Sequence, residues 1–144
     1  MKFHTSLGLA AMVLGSVVGC GKSGPELAET RGKVLLDGKP LPEAVVEFVP
    51  QKGPPSYGLT DASGVYRLQF NTSRTGVLPG PSKVRISTAR SLTDPSGKEI
   101  EITEKLPPKY NYESEEVREV KLGSNEINFE LKSGPMKSTK KRRA

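Results

Sequence analysis

The chain has 144 residues, with 22 Lys and Arg against 16 Asp and Glu, one Cys, one His and no Trp. This length predicts one small domain with tails. The 15 Gly and 12 Pro argue against a helical bundle, because both residue types interrupt helices. A single Cys excludes an internal disulfide and a Cys-rich zinc site. The net charge of +6 suggests nucleic-acid or membrane binding, depending on where the charge lies.

The N-terminus has the pattern of a secretory signal. Lys2 precedes an apolar stretch, residues 7–18, that is too short to cross a bilayer as a helix, which needs about 20 residues. The stretch ends in Val17-Val18-Gly19-Cys20, which resembles the bacterial lipobox. The resemblance implies a lipoprotein signal peptide over residues 1–19, a diacylglycerol thioether on Cys20, and a fatty acid such as palmitate on its new amine. The alternative is an ordinary secreted protein with a chance Cys.

Cleavage before Cys20 limits the chemistry of the mature chain, because the sole histidine, His4, leaves with the signal. Ser–His and Cys–His catalysis and imidazole metal sites are then excluded. We therefore expect a protein that is not an enzyme, with no catalytic residue, cofactor or metal, although a carboxylate-only calcium site stays open. The resemblance to lipoproteins also implies, because Gly21 rather than Asp follows Cys20, the outer membrane or cell surface of a bacterial envelope. Cys20 would be the contact with the membrane.

Between residues 30 and 132 the dominant hydrophobic period is two, which is typical of half-buried strands. The predicted inward-facing residues are Val34, Leu36, Ala44, Val46, Phe48, Tyr66, Leu68, Phe70, Val84, Ile86, Val120, Leu122, Ile127, Phe129 and Leu131. Turn signals at Asp37-Gly38 and at residues 61–64, 79–81 and 123–125 separate the strands. We predict an all-β, antiparallel β-sandwich of seven strands, within a range of six to eight, between a lipidated tether (20–29) and a disordered basic tail (133–144).

Three segments carry a family resemblance. They are Gly32-Lys-Val-Leu-Leu-Asp-Gly38 with its continuation to Pro50, Thr60-Asp61-Ala-Ser-Gly64-Val-Tyr66, and Gly76-Val-Leu-Pro79-Gly80. Together they resemble carboxypeptidase regulatory-like domains, which have a transthyretin-like (prealbumin-like), Ig-like sandwich. The resemblance implies scaffold roles for these residues and carries over no catalytic residue. With the lipobox and Leu106-Pro-Pro-Lys-Tyr-Asn111, the chain resembles small bacterial lipoproteins.

Candidate ligand-binding residues lie in two loops. The long connection, residues 89–116, contains Lys109, Tyr110 and Tyr112 after a diproline, and a shorter loop contains Tyr57. Two tyrosines beside a stiff diproline suggest an aromatic platform for sugar or peptide. The alternative, which we favour, is that these residues pack the crossover onto the sandwich edge. Part of the long connection, around Ile100, also has the alternation of an extra edge strand.

Charged groups at the surface have similar alternatives. One acidic group forms either a calcium site or a solvated face: Glu113, Glu115, Glu116 and Glu119. The solvated face is favoured, because the group lacks the residue spacing of a calcium-binding loop. The basic tail has the five cations Lys137, Lys140, Lys141, Arg142 and Arg143. Without these and Lys2, basic and acidic residues are equal at 16 each, so the body is formally neutral. The tail is either a solvated end or a contact for anionic lipid or envelope polymer; export argues against nucleic acid.

These observations favour a non-enzymatic, lipid-anchored envelope protein that displays a β-sandwich for binding or scaffolding. One alternative is an accessory subunit of an envelope transport or secretion complex. Another is a surface protein that binds envelope polysaccharide. The expected partners are accordingly the membrane and either a polysaccharide or an envelope protein.

Overall fold

The computed structural model describes residue 21 and residues 23–134. The proposed signal peptide, Cys20 and most of the basic tail lie outside the described residues. The described strands are β1 (Glu29–Leu36), β2 (Lys39–Pro40), β3 (Val45–Pro50), β4 (Ser56–Leu59), β5 (Val65–Arg67), β6 (Gly80–Ser87), β7 (Arg90–Thr93), β8 (Glu99–Ile102), β9 (Val117–Val120), β10 (Ser124–Glu126) and β11 (Phe129–Leu131). A single turn of 3-10 helix, Pro108–Tyr110, precedes β9.

Two sheets form the predicted all-β sandwich. In the first, β1 is central: β2 and β5 pair with it antiparallel, and β10 and β11 pair with it parallel. The second sheet is antiparallel throughout, in the order β4-β3-β6-β9. The parallel pairing was not expected from the sequence, and it arises because the last strands return to the far side of β1 after crossing from the other sheet.

The inward-facing side chains of both sheets meet in one apolar core. Three aromatic rings lie at its centre, with centroids 6.3–6.5 Å apart: Phe48 from the second sheet, and Tyr66 and Phe129 from the first. The alternation predicted for β3 and β6 is confirmed, since Ala44, Val46, Phe48, Val84 and Ile86 are all buried. Each Val, Ile or Phe side chain of this set contributes about 1.5–3 kcal/mol of transfer free energy.

Two predicted turns form with the expected chemistry. Asp37 and Gly38 both have positive φ and close a two-residue hairpin, although its second strand is only the short β2 before the chain crosses to the other sheet. In the next turn the Asp61 carboxylate accepts the backbone N–H groups of Ser63 (2.8 Å) and Val65 (3.0 Å). Gly64 follows with φ of 75°.

Two strand predictions need correction because asparagine side chains replace backbone partners. Leu122 was predicted to face inward, but it is 59% exposed, since β9 ends at Val120 and Asn125 binds both the N–H and the carbonyl of Lys121 in a turn. The predicted last strand is interrupted between β10 and β11, where the Asn128 side chain accepts the N–H of Lys33 at 2.8 Å.

The long connection contains more structure than one edge strand. Its predicted strand, β8, pairs with β7 in a separate two-stranded hairpin. Arg90 fastens this hairpin to the body through Glu43, binding its carboxylate at 2.9 Å and its carbonyl at 3.1 Å. At the start of the sandwich, β1 begins at Glu29. The preceding residue, Ala28, is already fully buried.

Replacing Tyr66 by Phe tests the hydrogen bond at the centre of the first sheet. The buried Tyr66 hydroxyl donates to the Ile127 carbonyl at 2.6 Å, and burial raises the pKa of this hydroxyl, so it remains a donor at neutral pH. Tyr66→Phe leaves that carbonyl without its donor and should lower the free energy of unfolding by about 1–2 kcal/mol in urea titrations. The exposed control Tyr57→Phe should change it little. Equal effects of the two variants would contradict this assignment.

Candidate functional site

A row of three side chains crosses the outer face of the second sheet. Glu47 on β3 lies directly opposite Tyr57 on β4 and opposite Arg85 on β6. Because side chains alternate along a strand, all three point away from the core. The Arg85 guanidinium lies 3.5 Å from the Glu47 carboxylate, and Tyr57 is 49% exposed. Burial raises the pKa of the Tyr57 hydroxyl, and the neighbouring Glu47 carboxylate raises it further.

Tyr112 forms the other wall of a groove over this row. It follows the 3-10 turn, is 74% exposed, and is held by its backbone N–H, which donates to the side-chain oxygen of Asn111 at 2.9 Å. The groove between Tyr57 and Tyr112 has a volume of about 350 Å³. Its other polar groups are those of Glu47, Arg85, Ser87 and Asn111. It combines two exposed aromatic walls with a carboxylate acceptor and a guanidinium donor, which suits a ligand with an apolar face and several hydroxyls.

The other two candidate residues lie elsewhere. The Tyr110 ring packs against the core, and its hydroxyl accepts the backbone N–H of Lys132 at 2.9 Å. The Lys109 ammonium lies 4.9 Å from the centre of that ring. Both residues line a crevice of about 400 Å³ between the two sheets, bordered by β9 and β11. The structure therefore brings Tyr57 and Tyr112 together and separates them from Lys109 and Tyr110.

Sequence reasoning missed three side chains that shape these surfaces. Glu47 and Arg85 appear in the sequence only as outward positions of two strands, and nothing in the pattern gives the register that joins them. Glu104 is one of six Glu residues in the long connection, and nothing in the sequence distinguishes it from the others. Its carboxylate accepts hydrogen bonds from the Ser87 hydroxyl (2.5 Å), the Thr88 hydroxyl (2.8 Å) and the backbone N–H of the buried Leu106 (2.9 Å).

Glu104 thereby fastens the long connection to the end of β6, next to the groove. Burial tends to raise the pKa of this carboxyl, but the hydrogen bonds from Ser87, Leu106 and Thr88 outweigh burial and hold its pKa below the ordinary value of 4.5. A carboxyl whose pKa is lower in the folded state stabilises the fold above its unfolded-state pKa. That stability is lost as the pH falls through the folded-state value.

Replacing Glu104 by Gln should remove this pH-dependent contribution. We expect Glu104→Gln to lower the free energy of unfolding by about 1–3 kcal/mol at neutral pH, because charge-assisted hydrogen bonds are lost. The difference from the parent should shrink as the pH falls below 4.5, because the unfolded parent then takes up a proton, and it should be smallest below the lower folded-state pKa of Glu104. Urea titrations across this range measure it, with the exposed Glu101→Gln as the matched control. A difference that is independent of pH would contradict the role assigned to the Glu104 charge.

Two general features of the described residues bear on the site. No helix among them is long and apolar enough to cross a membrane. Within residues 21 and 23–134, no group of three or more His, Cys, Asp or Glu is arranged to hold a metal ion.

Comparisons with known proteins add little. No protein-family model matches the chain, and no curated protein sequence matches it. A 9R-lipoxygenase from Cyanothece PCC8801 is similar over 82% of this chain and 19% of that chain, with 13% identity and a TM-score of 0.47. BcpA, the major pilin subunit of Bacillus cereus, is similar over 76% of this chain and 31% of that chain, with 11% identity and a TM-score of 0.45.

A DUF3823 family protein from Parabacteroides merdae ATCC 43184 gives 12% identity and a TM-score of 0.43, over 76% of this chain and 48% of that chain. The chain therefore spans less than half the length of each of these structures. At such identities and TM-scores these similarities carry no argument about function.

Proposed function

We propose that this protein is a non-enzymatic, lipid-anchored envelope protein that uses its β-sandwich as a binding module. The observation that carries the proposal is the groove on the outer face of the second sheet, where Tyr57 and Tyr112 stand on either side of the Glu47–Arg85 pair. Exposed tyrosines with polar groups between them are typical of binding surfaces, because each ring offers a large rigid contact area with a polar tip.

We further propose that the domain is a carboxypeptidase regulatory-like domain with a scaffold role. The support comes from the segments that resemble this family. Asp37-Gly38 closes a hairpin and Asp61 organises a turn through backbone hydrogen bonds, so these residues serve the fold rather than chemistry. Tyr66 serves the fold as well, since its ring is in the core.

The proposed ligand of the groove is an envelope polysaccharide. A sugar ring presents one apolar face, which can stack on a tyrosine, and a rim of hydroxyls, which can bind a carboxylate and a guanidinium at once. The groove offers both kinds of contact within about 350 Å³. A lipid anchor would hold the groove beside the envelope and raise the effective concentration of its ligand there.

Alanine variants of the two groove tyrosines test this ligand class. Tyr57→Ala and Tyr112→Ala should each weaken saturable binding to purified peptidoglycan or to purified O-polysaccharide about tenfold, equivalent to about 1.4 kcal/mol. The control is Leu92→Ala on the β7–β8 hairpin, another exposed apolar residue, which should bind like the parent. If both tyrosine variants also bind like the parent, the polysaccharide proposal is wrong. Cross-linking in intact membranes then tests for a protein partner in a transport or secretion complex.

The anchor is tested by the intact mass of the protein extracted from membranes. We expect a mass that lacks residues 1–19 and includes acyl groups on Cys20. Inhibition of the lipoprotein signal peptidase by a globomycin-type compound should retain the signal on a diacylglycerol-modified chain. A Cys20→Ser variant should carry no lipid. A mature protein that still contains Met1 and His4 would contradict both the anchor and the exclusion of His-based catalysis.

A further inference from the structure

The crevice between the sheets, which β9 and β11 border, has an apolar floor. The floor is formed by two inward-facing pairs, Val84 and Ile86 on β6 and Phe129 and Leu131 on β11. Arg118 on β9 stands at its edge, with its guanidinium 5.2 Å from the centre of the Phe129 ring and 2.7 Å from the Glu116 carboxylate. The four floor residues are at most 4% exposed, so the crevice offers a narrow apolar floor below a charged rim.

The rim carries more negative than positive charge. Its acidic residues are Glu113, Glu115, Glu116 and Glu130, all exposed. Among the described residues that line the crevice, two are cations, and both are already engaged: Arg118 with Glu116, and Lys109 over the Tyr110 ring. A surface with this excess of carboxylates attracts a cationic partner.

The chain itself leaves the sandwich beside this crevice. The N–H of Lys132 donates to the Tyr110 hydroxyl, and Tyr110 lines the crevice. Ser133 is fastened to Asp37, through its hydroxyl at 2.5 Å and its N–H at 3.1 Å. The hydrogen bond from Ser133 lowers the pKa of Asp37, so this anchor persists at neutral pH. The remaining residues, 135–144, therefore start next to the crevice mouth.

The composition of those ten residues complements the apolar floor and the acidic rim of the crevice. They contain one apolar side chain suited to an irregular patch, Met136, followed by five cations. When extended they can reach about 33–36 Å from Gly134, more than is needed to cross the crevice. Because the segment is tethered, its effective concentration at the mouth is in the millimolar range, which makes weak surface contacts sufficient.

We propose that residues 135–144 bind across the mouth of the crevice in their own chain, with Met136 on the apolar floor and the basic residues on the acidic rim. The tail is then an internal partner of the sandwich, and its cations are withheld from anionic lipid. This inference does not depend on the groove or on its ligand.

Carbodiimide cross-linking of the detergent-solubilised full chain tests the proposal, because it joins only amines and carboxylates in direct contact. In the monomer band, cross-linked peptides should join tail lysines to the rim residues Glu113, Glu115 and Glu130. They should be in several-fold excess over cross-links to Glu99 and Glu101, which are equally exposed on the β7–β8 hairpin. About 1 M salt should abolish the excess, because the Debye length falls to about 3 Å.

Paired variants separate this proposal from its competitors. The triple variant E113Q/E115Q/E130Q should bind more tightly than the parent to vesicles of phosphatidylcholine and phosphatidylglycerol, because the tail is released, whereas E99Q/E101Q should bind like the parent. Equal cross-linking of rim and hairpin carboxylates would overturn the proposal, as would unchanged vesicle binding of the triple variant. Cross-links found only in a dimer band would assign the tail to the crevice of a second copy and would also overturn it.

Discussion

The packing of the first sheet depends on the Tyr66 side chain, which crosses β1 over Gly32. Tyr66 lies opposite Gly32 in the β5–β1 pair, and its hydroxyl reaches the Ile127 carbonyl on the other side of β1. A Cβ at position 32 would lie 1.8 Å from that carbonyl oxygen and 3.0 Å from the Tyr66 ring. Only glycine leaves this space, so the Tyr66 ring covers β1 at Gly32 and joins β5 and β1 to the link between β10 and β11. Phe48 and Phe129 then pack against the same ring and join the two sheets.

This arrangement makes the two sides of the sandwich unequal. On the β4 side, Tyr57 and Gln69 exchange backbone hydrogen bonds of 3.0 and 2.8 Å, which link the second sheet to the chain following β5. On the other side, β9 and β11 border a crevice instead, and Arg118 covers part of the Phe129 ring there. The guanidinium itself lies over the ring, and one of its nitrogens is 2.7 Å from the Glu116 carboxylate, so a paired charged group covers the apolar core there. The open side is consequently the one where a further segment can be accommodated.

Local rules were informative for β3, β6 and two of the four predicted turns, whereas the turns predicted at residues 79–81 and 123–125 overlap the starts of β6 and β10. Alternation in β3 and β6 predicted the buried face, and the residue types at Asp37-Gly38 and around Asp61 predicted turns that form as expected. Prediction failed where a side chain took the place of a backbone partner, as with Asn125 beside Leu122 and Asn128 at the break between β10 and β11. These side-chain hydrogen bonds join residues that meet only after folding, so the alternation of apolar residues along the sequence does not predict them.

The candidate site shows the same limit. Each of its tyrosines was recognised as a residue type suited to binding, but the partition into groove and crevice depends on which neighbours the fold supplies. Tyr110 and Tyr112 are two residues apart, yet one packs towards the core and the other stands beside Arg85 on the outer face. The register that places Glu47 between Tyr57 and Arg85 is a long-range property and has no local signature.

Strand β6 separates the two surfaces and makes them independently testable. Its period of two sends Arg85 to the outer groove and Val84 and Ile86 to the crevice. Substitutions of groove tyrosines therefore leave the crevice floor in place, and neutralising the rim leaves the Glu47–Arg85 pair in place. Energetic effects at sites without shared partners add. A variant that combines Tyr57→Ala with E113Q/E115Q/E130Q should bind polysaccharide as weakly as Tyr57→Ala alone and should bind vesicles as tightly as the triple variant alone. A different result in either measurement would mean that β6 transmits strain across the sheet.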